Sequence, residues 1–183
     1  MFGVRIIAGK FKGRKLKSYQ TDKVRPTKDM VKEAVFNILL DFPQGKDCLD
    51  LFAGFGNLGL EAASRGAASI DFVEIASRNC KIIKDNIELL GIEEESNLFC
   101  QDVKSFIKSS NKKYDLVFID PPYDEDYYKD TLTALLDNKL LKNPAVLIVE
   151  FRENYRPEIP EELVIIKEKD YGSTGIIIAE FQG

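Results

Sequence analysis

Apolar residues gather along most of the chain in short unbroken runs set between helical patterns. The runs at 48–52, 69–74, 98–101, 115–120 and 145–151 read as strands buried on both faces, as parallel strands are. The stretches at 58–65, 77–90, 103–109 and about 126–136 carry the three-to-four-residue spacing of helices that pack on one side. This alternation predicts an α/β fold with a doubly wound, mostly parallel sheet. The last two runs, 163–168 and 175–181, have no helix between them and a turn at Tyr171-Gly172, which predicts an antiparallel C-terminal hairpin on the sheet edge. Ahead of the sheet, Arg25-Pro26 biases the chain away from helix. Thr27 is then placed to cap a helix with the stripe Met30, Val31, Ala34, Val35, Ile38 and Leu39. Residues 4–19, punctuated by Gly9 and Gly13, suggest two short strands forming an appended N-terminal β-hairpin.

Composition narrows this picture. A length of 183 residues, 44% hydrophobic, builds one core rather than two, so 1–183 is expected to form one domain, with 1–24 as an arm and 25–183 as its core. No run of apolar residues is long enough to span a bilayer, and the basic start lacks the apolar block of a signal peptide. The expected setting is the cytoplasm, with no membrane association. Histidine is absent, which removes His-based triads and His-ligated zinc. Cys48, Cys80 and Cys100 are far apart and odd in number, so they are expected to be buried thiols, with no metal site. Nothing in the pattern requires more than a monomer.

Charge is unevenly distributed. Residues 1–32 hold ten Lys and Arg against two Asp, although the whole chain carries a net charge of -4. A basic arm on an acidic body can be a solvated surface, or it can grip phosphates locally through Lys10, Lys12, Arg14 and Lys15.

Two loops carry the candidate chemistry. The first expected strand runs through Asp50 and Phe52 into Gly54, Gly56 and Gly59, a turn that lets backbone approach a ligand closely. Glu74 closes the next strand, where a carboxylate can accept from a ribose diol. These residues alone fit a nicotinamide dinucleotide as well as S-adenosylmethionine. Asp50 tilts the choice, because a carboxylate there repels a pyrophosphate and suits a cationic sulfonium. Asp102, after the third strand, can accept from an adenine amine or cap the following helix.

The second loop is Asp120-Pro121-Pro122-Tyr123, at the end of the fourth strand. Proline fixes φ and donates no amide hydrogen, so neighbouring carbonyls become rigid acceptors. An exocyclic amine on a nucleic-acid base has a delocalised lone pair. Acceptors that take both its hydrogens, here Asp120 and the Pro121 carbonyl, favour the pyramidal form that attacks a methyl group. Tyr123 is suited to stack on a flipped base. The same tetrapeptide can also be an ordinary proline-rich turn with a packed aromatic.

With these residues in view, the chain resembles the RsmD-type bacterial methyltransferases of small-subunit ribosomal RNA over nearly its full length. The likeness lies in Arg5-Ile6-Ile7-Ala8-Gly9 with Lys12-Gly13-Arg14, in Arg25-Pro26-Thr27 leading to Phe36-Asn37, in 49–54, in Leu58-Gly59-Leu60-Glu61-Ala62 and in 120–123. The resemblance implies a Rossmann-like class I fold, S-adenosyl-L-methionine as cofactor, and 16S rRNA in the small ribosomal subunit as substrate with guanine N2 as the target. It also implies an RNA-binding arm, with Arg25 and Thr27 against the cofactor. Phe55 departs from the serine usual in such loops, Met30 and Lys32 from arginines, and Ile75-Ala76 lacks the usual following Asp. The adjacent N1 and N2 donors of guanine suit one carboxylate. Adenine N6 or cytosine N4 in DNA or another RNA is the alternative target. An NAD-dependent oxidoreductase and a non-enzymatic RNA-binding factor are the readings of other classes.

Overall fold

The computed structural model describes residues 4–19, 26–122 and 125–183, without the side chains of 26–29 and 125–126. Its elements are α1 (Pro26–Leu39), β1 (Asp47–Leu51), α2 (Asn57–Ser64), β2 (Ser69–Val73), α3 (Ser77–Leu90), β3 (Ser96–Phe99), α4 (Val103–Ser109), β4 (Tyr114–Ile119), α5 (Glu125–Asp137), β5 (Leu141–Arg152), β6 (Leu163–Tyr171) and β7 (Thr174–Phe181). One sheet runs in the order β3-β2-β1-β4-β5-β7-β6. Strands β1 to β5 are parallel, and the C-terminal hairpin inserts β7 antiparallel beside β5.

Alternate side chains of the central strands enter two cores. Cys48, Phe72, Leu116, Phe118 and Ile148 pack with Val31, Val35, Phe36, Leu60, Ile83 and Ile87 from α1, α2 and α3. Leu49, Leu51, Val117, Ile119, Leu147 and Val149 pack with Phe106, Tyr128, Leu132 and Leu135 from α4 and α5. Burial on both faces is the reason these strands are nearly all apolar. At the amino edge of the sheet, Lys142 Nζ reaches Asp47 and Asp115 at 2.6 and 2.7 Å. Lys112 Nζ and the Tyr114 hydroxyl donate to Asp71 at 2.9 and 2.8 Å. These contacts tie β1, β2, β4 and β5 together at the end opposite the loops.

The strand order turns outward in both directions between β1 and β4, the crevice where open α/β sheets bind ligands. Leu51 pairs with both Val73 and Ile119. The next residues, Phe52, Glu74 and Asp120, therefore stand side by side at the carboxyl edge.

Several expectations change. α1 begins at Pro26, so Thr27 lies in its first turn instead of capping it; proline is suited to that first position because its missing N–H has no helical partner there. Met30 is 60% exposed while Lys32 is 3% exposed, because the helix is covered by the arm as well as by the sheet. The expected arm hairpin is present among the described residues as the antiparallel Arg5–Lys15 bridge, with backbone hydrogen bonds joining Val4 and Ile6 to Gly13, Arg14 and Leu16, and it is packed down on the body. Cys80 and Cys100 form a disulfide, with 6.1 Å between their Cα atoms; only Cys48 is a buried free thiol. The pair meets because parallel neighbours β2 and β3 deliver the start of α3 and the end of β3 to the same edge, a proximity that a gap of 20 residues conceals.

Candidate functional site at the carboxyl edge of the sheet

Three carboxylates converge on the crevice. Asp50 is buried under the start of α2, where its Oδ2 accepts the Gly59 amide at 2.9 Å. Gly56 heads α2 in the left-handed region, φ 79°, without a side-chain cap, so Asp50 serves as the missing cap from the strand. Glu74 accepts the Gly54 amide through Oε2 and the Ala76 amide through Oε1, both at 2.8 Å. Each oxygen retains a lone pair for a ligand. Burial pushes the Asp50 carboxyl up to about 8; the Gly59 amide opposes this, while the charges of Asp120 and Glu74 add to it.

The glycines divide by function. A Cβ on Gly59 would lie 2.4 Å from the Phe72 ring, so that glycine exists for helix–sheet contact. Gly54 has φ +58°, and a Cβ on it would meet nothing within 4 Å, leaving open space for a ligand beside the backbone. Helix starts of this kind usually bind phosphate through free amides. Here the Gly54 and Gly59 amides are occupied by Glu74 and Asp50, so neither is left to bind a pyrophosphate. The loop suits a cationic ligand.

Around this centre, Phe52 has φ 58° and is half-buried. Ile75, 69% exposed, puts an apolar side chain on the rim beside Glu74. Asp102 caps α4 by accepting the Ser105 amide at 2.9 Å; hydrogen bonds from Ser105 hold its carboxyl below the usual range. Asp120 is half-buried, Pro121 buried and Pro122 exposed. Tyr123 and Arg25 lie outside the described residues, as does the side chain of Thr27. Among the described residues, no cluster of three or more His, Cys, Asp or Glu is arranged to hold a metal ion, and no helix is long and apolar enough to cross a membrane.

The basic residues Lys10, Lys12, Arg14 and Lys15 are all exposed on the turn of the arm. What holds that turn was missed in the sequence. Fully buried Glu61 of α2 accepts the Ile7 and Ala8 amides at 2.8 and 3.0 Å, and Arg65 and Lys32 lie 3.0 and 3.8 Å from it. Lys32 also donates to the Arg5 carbonyl at 2.7 Å, so this departure from the family pattern is a clasp on the arm. Ser64 and Asn86 add further hydrogen bonds to Ala8, Phe11 and Lys17. A charged residue inside the apolar stretch Leu58–Ala63 was the available signal. Phe55 finds its reason at the end of the arm, edge-on to Tyr19 with 4.9 Å between centroids. Tyr19 in turn lies under the Arg78 guanidinium at 3.5 Å and donates to Asn79 at 2.6 Å.

The chain is similar to known proteins over most of its length. The family model for conserved hypothetical protein 95 matches residues 4–180. The chain is 36% identical over 177 residues to ribosomal RNA small subunit methyltransferase D of Haemophilus influenzae, covering 95% of this chain and 90% of that one. It is 34% identical over 170 residues to the protein of that name from Escherichia coli K12, covering 92% and 85%. A solved structure of an Escherichia coli protein matches with a TM-score of 0.89 at 30% identity, covering 100% and 99% of the two chains.

Proposed function

Since the chain belongs to the conserved hypothetical protein 95 family, with small-subunit ribosomal RNA methyltransferases D among its relatives, we propose that it methylates the N2 amine of a guanine in 16S rRNA of the small ribosomal subunit, using S-adenosylmethionine. The observation that carries this reading is the convergence of Asp50, Glu74 and Asp120 beside the open face of Gly54. A cationic nucleoside is the ligand that such a pocket favours.

Glu74 accepts from the ribose diol, Asp50 faces the ammonium and sulfonium charges, and Asp102 takes the adenine amine on the oxygen not engaged in capping. Ile75 and Phe52 supply apolar surface, Gly54 and Gly56 supply close backbone approach, and Arg25 and Thr27 complete the cofactor's surroundings. The cofactor supplies a methyl group on a good leaving group, so orientation and desolvation are the protein's share of the rate. Asp120 and the Pro121 carbonyl accept the amine hydrogens and aim its lone pair. The Asp120 carboxylate then takes the proton that the methylated amine sheds. Pro122 stiffens the turn and Tyr123 stacks on the flipped base. Residues 1–24 grip RNA through Lys10, Lys12, Arg14 and Lys15, residues 25–183 form the catalytic core, and the protein acts as a cytoplasmic monomer.

The test incubates the protein with tritiated S-adenosylmethionine and purified small subunits, naked 16S rRNA or DNA, followed by nucleoside analysis. Label in N2-methylguanine from rRNA is expected; label in N6-methyladenine from DNA refutes the substrate. D120A should lose about 100-fold or more in turnover with cofactor affinity retained, and loss of folding instead would mean that the tetrapeptide is only a turn.

A further inference from the structure

Two tyrosines adjacent in the chain part company at the start of α5. Tyr128 is buried at 3% exposure, donates its hydroxyl to the Glu150 carbonyl at 3.0 Å and lies against Tyr155. Those contacts fix the rotation of the helix. Successive helical side chains point about 100° apart, so anchoring Tyr128 inward leaves Tyr127 outward, 44% exposed. Its ring stands edge-on to Phe52, with 5.7 Å between centroids and 78° between planes.

Phe52 is level with Glu74 and Asp120 at the strand ends, so this aromatic pair extends outward from the reaction centre. The positions nearest the transferred methyl group are already assigned to Asp120, Pro121 and Tyr123. Tyr127 reaches this edge through its contact with Phe52, the residue two positions before Gly54. Anchoring Tyr128 turns Tyr127 outward and leaves a large ring beside Phe52, half in water. A ring at the rim of a site for splayed RNA provides a stacking platform that accepts any base.

We propose that Tyr127 stacks on the nucleotide flanking the target guanine, braced from the side by Phe52; this rests on the RNA methyltransferase reading above. Such stacking holds ground state and transition state alike, so it acts on KM and leaves kcat in place. Steady-state methyl transfer to the rRNA substrate should give a KM for RNA raised roughly tenfold by Y127A. The kcat and the calorimetric affinity for S-adenosylmethionine should stay within about twofold of wild type. Y127F and Y127W should restore KM. Y127L keeps an apolar contact with Phe52 without a π face; it should reproduce the loss, and it replaces Y127A if that variant melts early. An unchanged KM in Y127A and Y127L, or a loss confined to kcat or to cofactor affinity, overturns the assignment while leaving the parent reading intact. A wild-type chain inert on every RNA defeats both.

Discussion

Asp50 enters the empty protein at neutral pH mostly protonated. Burial first, and then the charges of Asp120 and Glu74, bring its pKa to about 8 against the Gly59 hydrogen bond. At pH 7 that places about nine-tenths of the molecules in the neutral form. A bound cation favours the carboxylate, so S-adenosylmethionine is expected to expel close to one proton from Asp50 at pH 7, about half that at pH 8 and little above pH 9. Its apparent affinity should rise by up to about tenfold per pH unit between 6 and 7 and level off near 8. The assay is titration calorimetry in phosphate and in Tris, whose ionisation enthalpies differ; the slope of observed against ionisation enthalpy counts the protons. The cofactor's own amino group titrates near 8, so the comparison is with D50N, which still accepts from the Gly59 amide but cannot ionise. Equal slopes for wild type and D50N refute the reasoning. Stability supplies a second readout with a definite sign. The unfolded carboxyl titrates near 3.8 and the folded one near 8, so the folded chain holds the extra proton between those values. The stability contributed by Asp50 therefore falls as pH rises through that window, and D50N should flatten the slope.

Three further predictions concern the rest of the chain. E61A takes the carboxylate from Lys32, Arg65 and two arm amides and should cost about 3–5 kcal/mol, read from urea denaturation; a loss below about 1 kcal/mol would mean that the arm is not clasped. The triple variant K10A/K12A/R14A should reduce the slope of log affinity for RNA against log salt by roughly two to three, with binding of S-adenosylmethionine untouched; an unaltered slope rules these residues out as phosphate contacts. Thiol titration of the denatured, unreduced protein should find one reactive cysteine, Cys48, out of three, and a count of three would show that Cys80 and Cys100 are not joined.

The parallel sheet was legible because its strands are buried on both faces, which writes them as unbroken apolar runs. Asp102 was legible as a helix cap because capping needs only a polar side chain three residues before a free amide. Side-chain phase in α1 was legible at Val31, Val35 and Leu39, which are buried, but not at Met30, which is exposed, or at Lys32, which is buried. A helix that touches both a sheet and a folded-back arm buries a wide arc, and one position in that arc, Lys32, is filled by a cation whose partners Glu61 and Arg5 are distant in sequence. The Cys80–Cys100 pair and the tie from Asp50 to Gly59 were hidden for the same reason. The cysteine pair depends on β2 lying beside β3 and the Asp50 tie on how α2 folds back over β1, whereas local spacing reports only which way a residue faces its own element. Tyr127 differs again, since nothing in the tandem Tyr127-Tyr128 tells which ring turns inward until Glu150 and Tyr155 are in place.

Helix α2 is shared hardware. Its first turn shapes the glycine loop, and its later residues Glu61 and Ser64 hold the basic arm. The arm is therefore not a detachable adaptor. Trimming it to obtain a minimal core, or grafting one from a different RNA-binding protein, would take two amide partners from Glu61 and a carbonyl partner from Lys32, one turn away from the glycine loop. Any redesign of what this protein grips has to rebuild that junction as well.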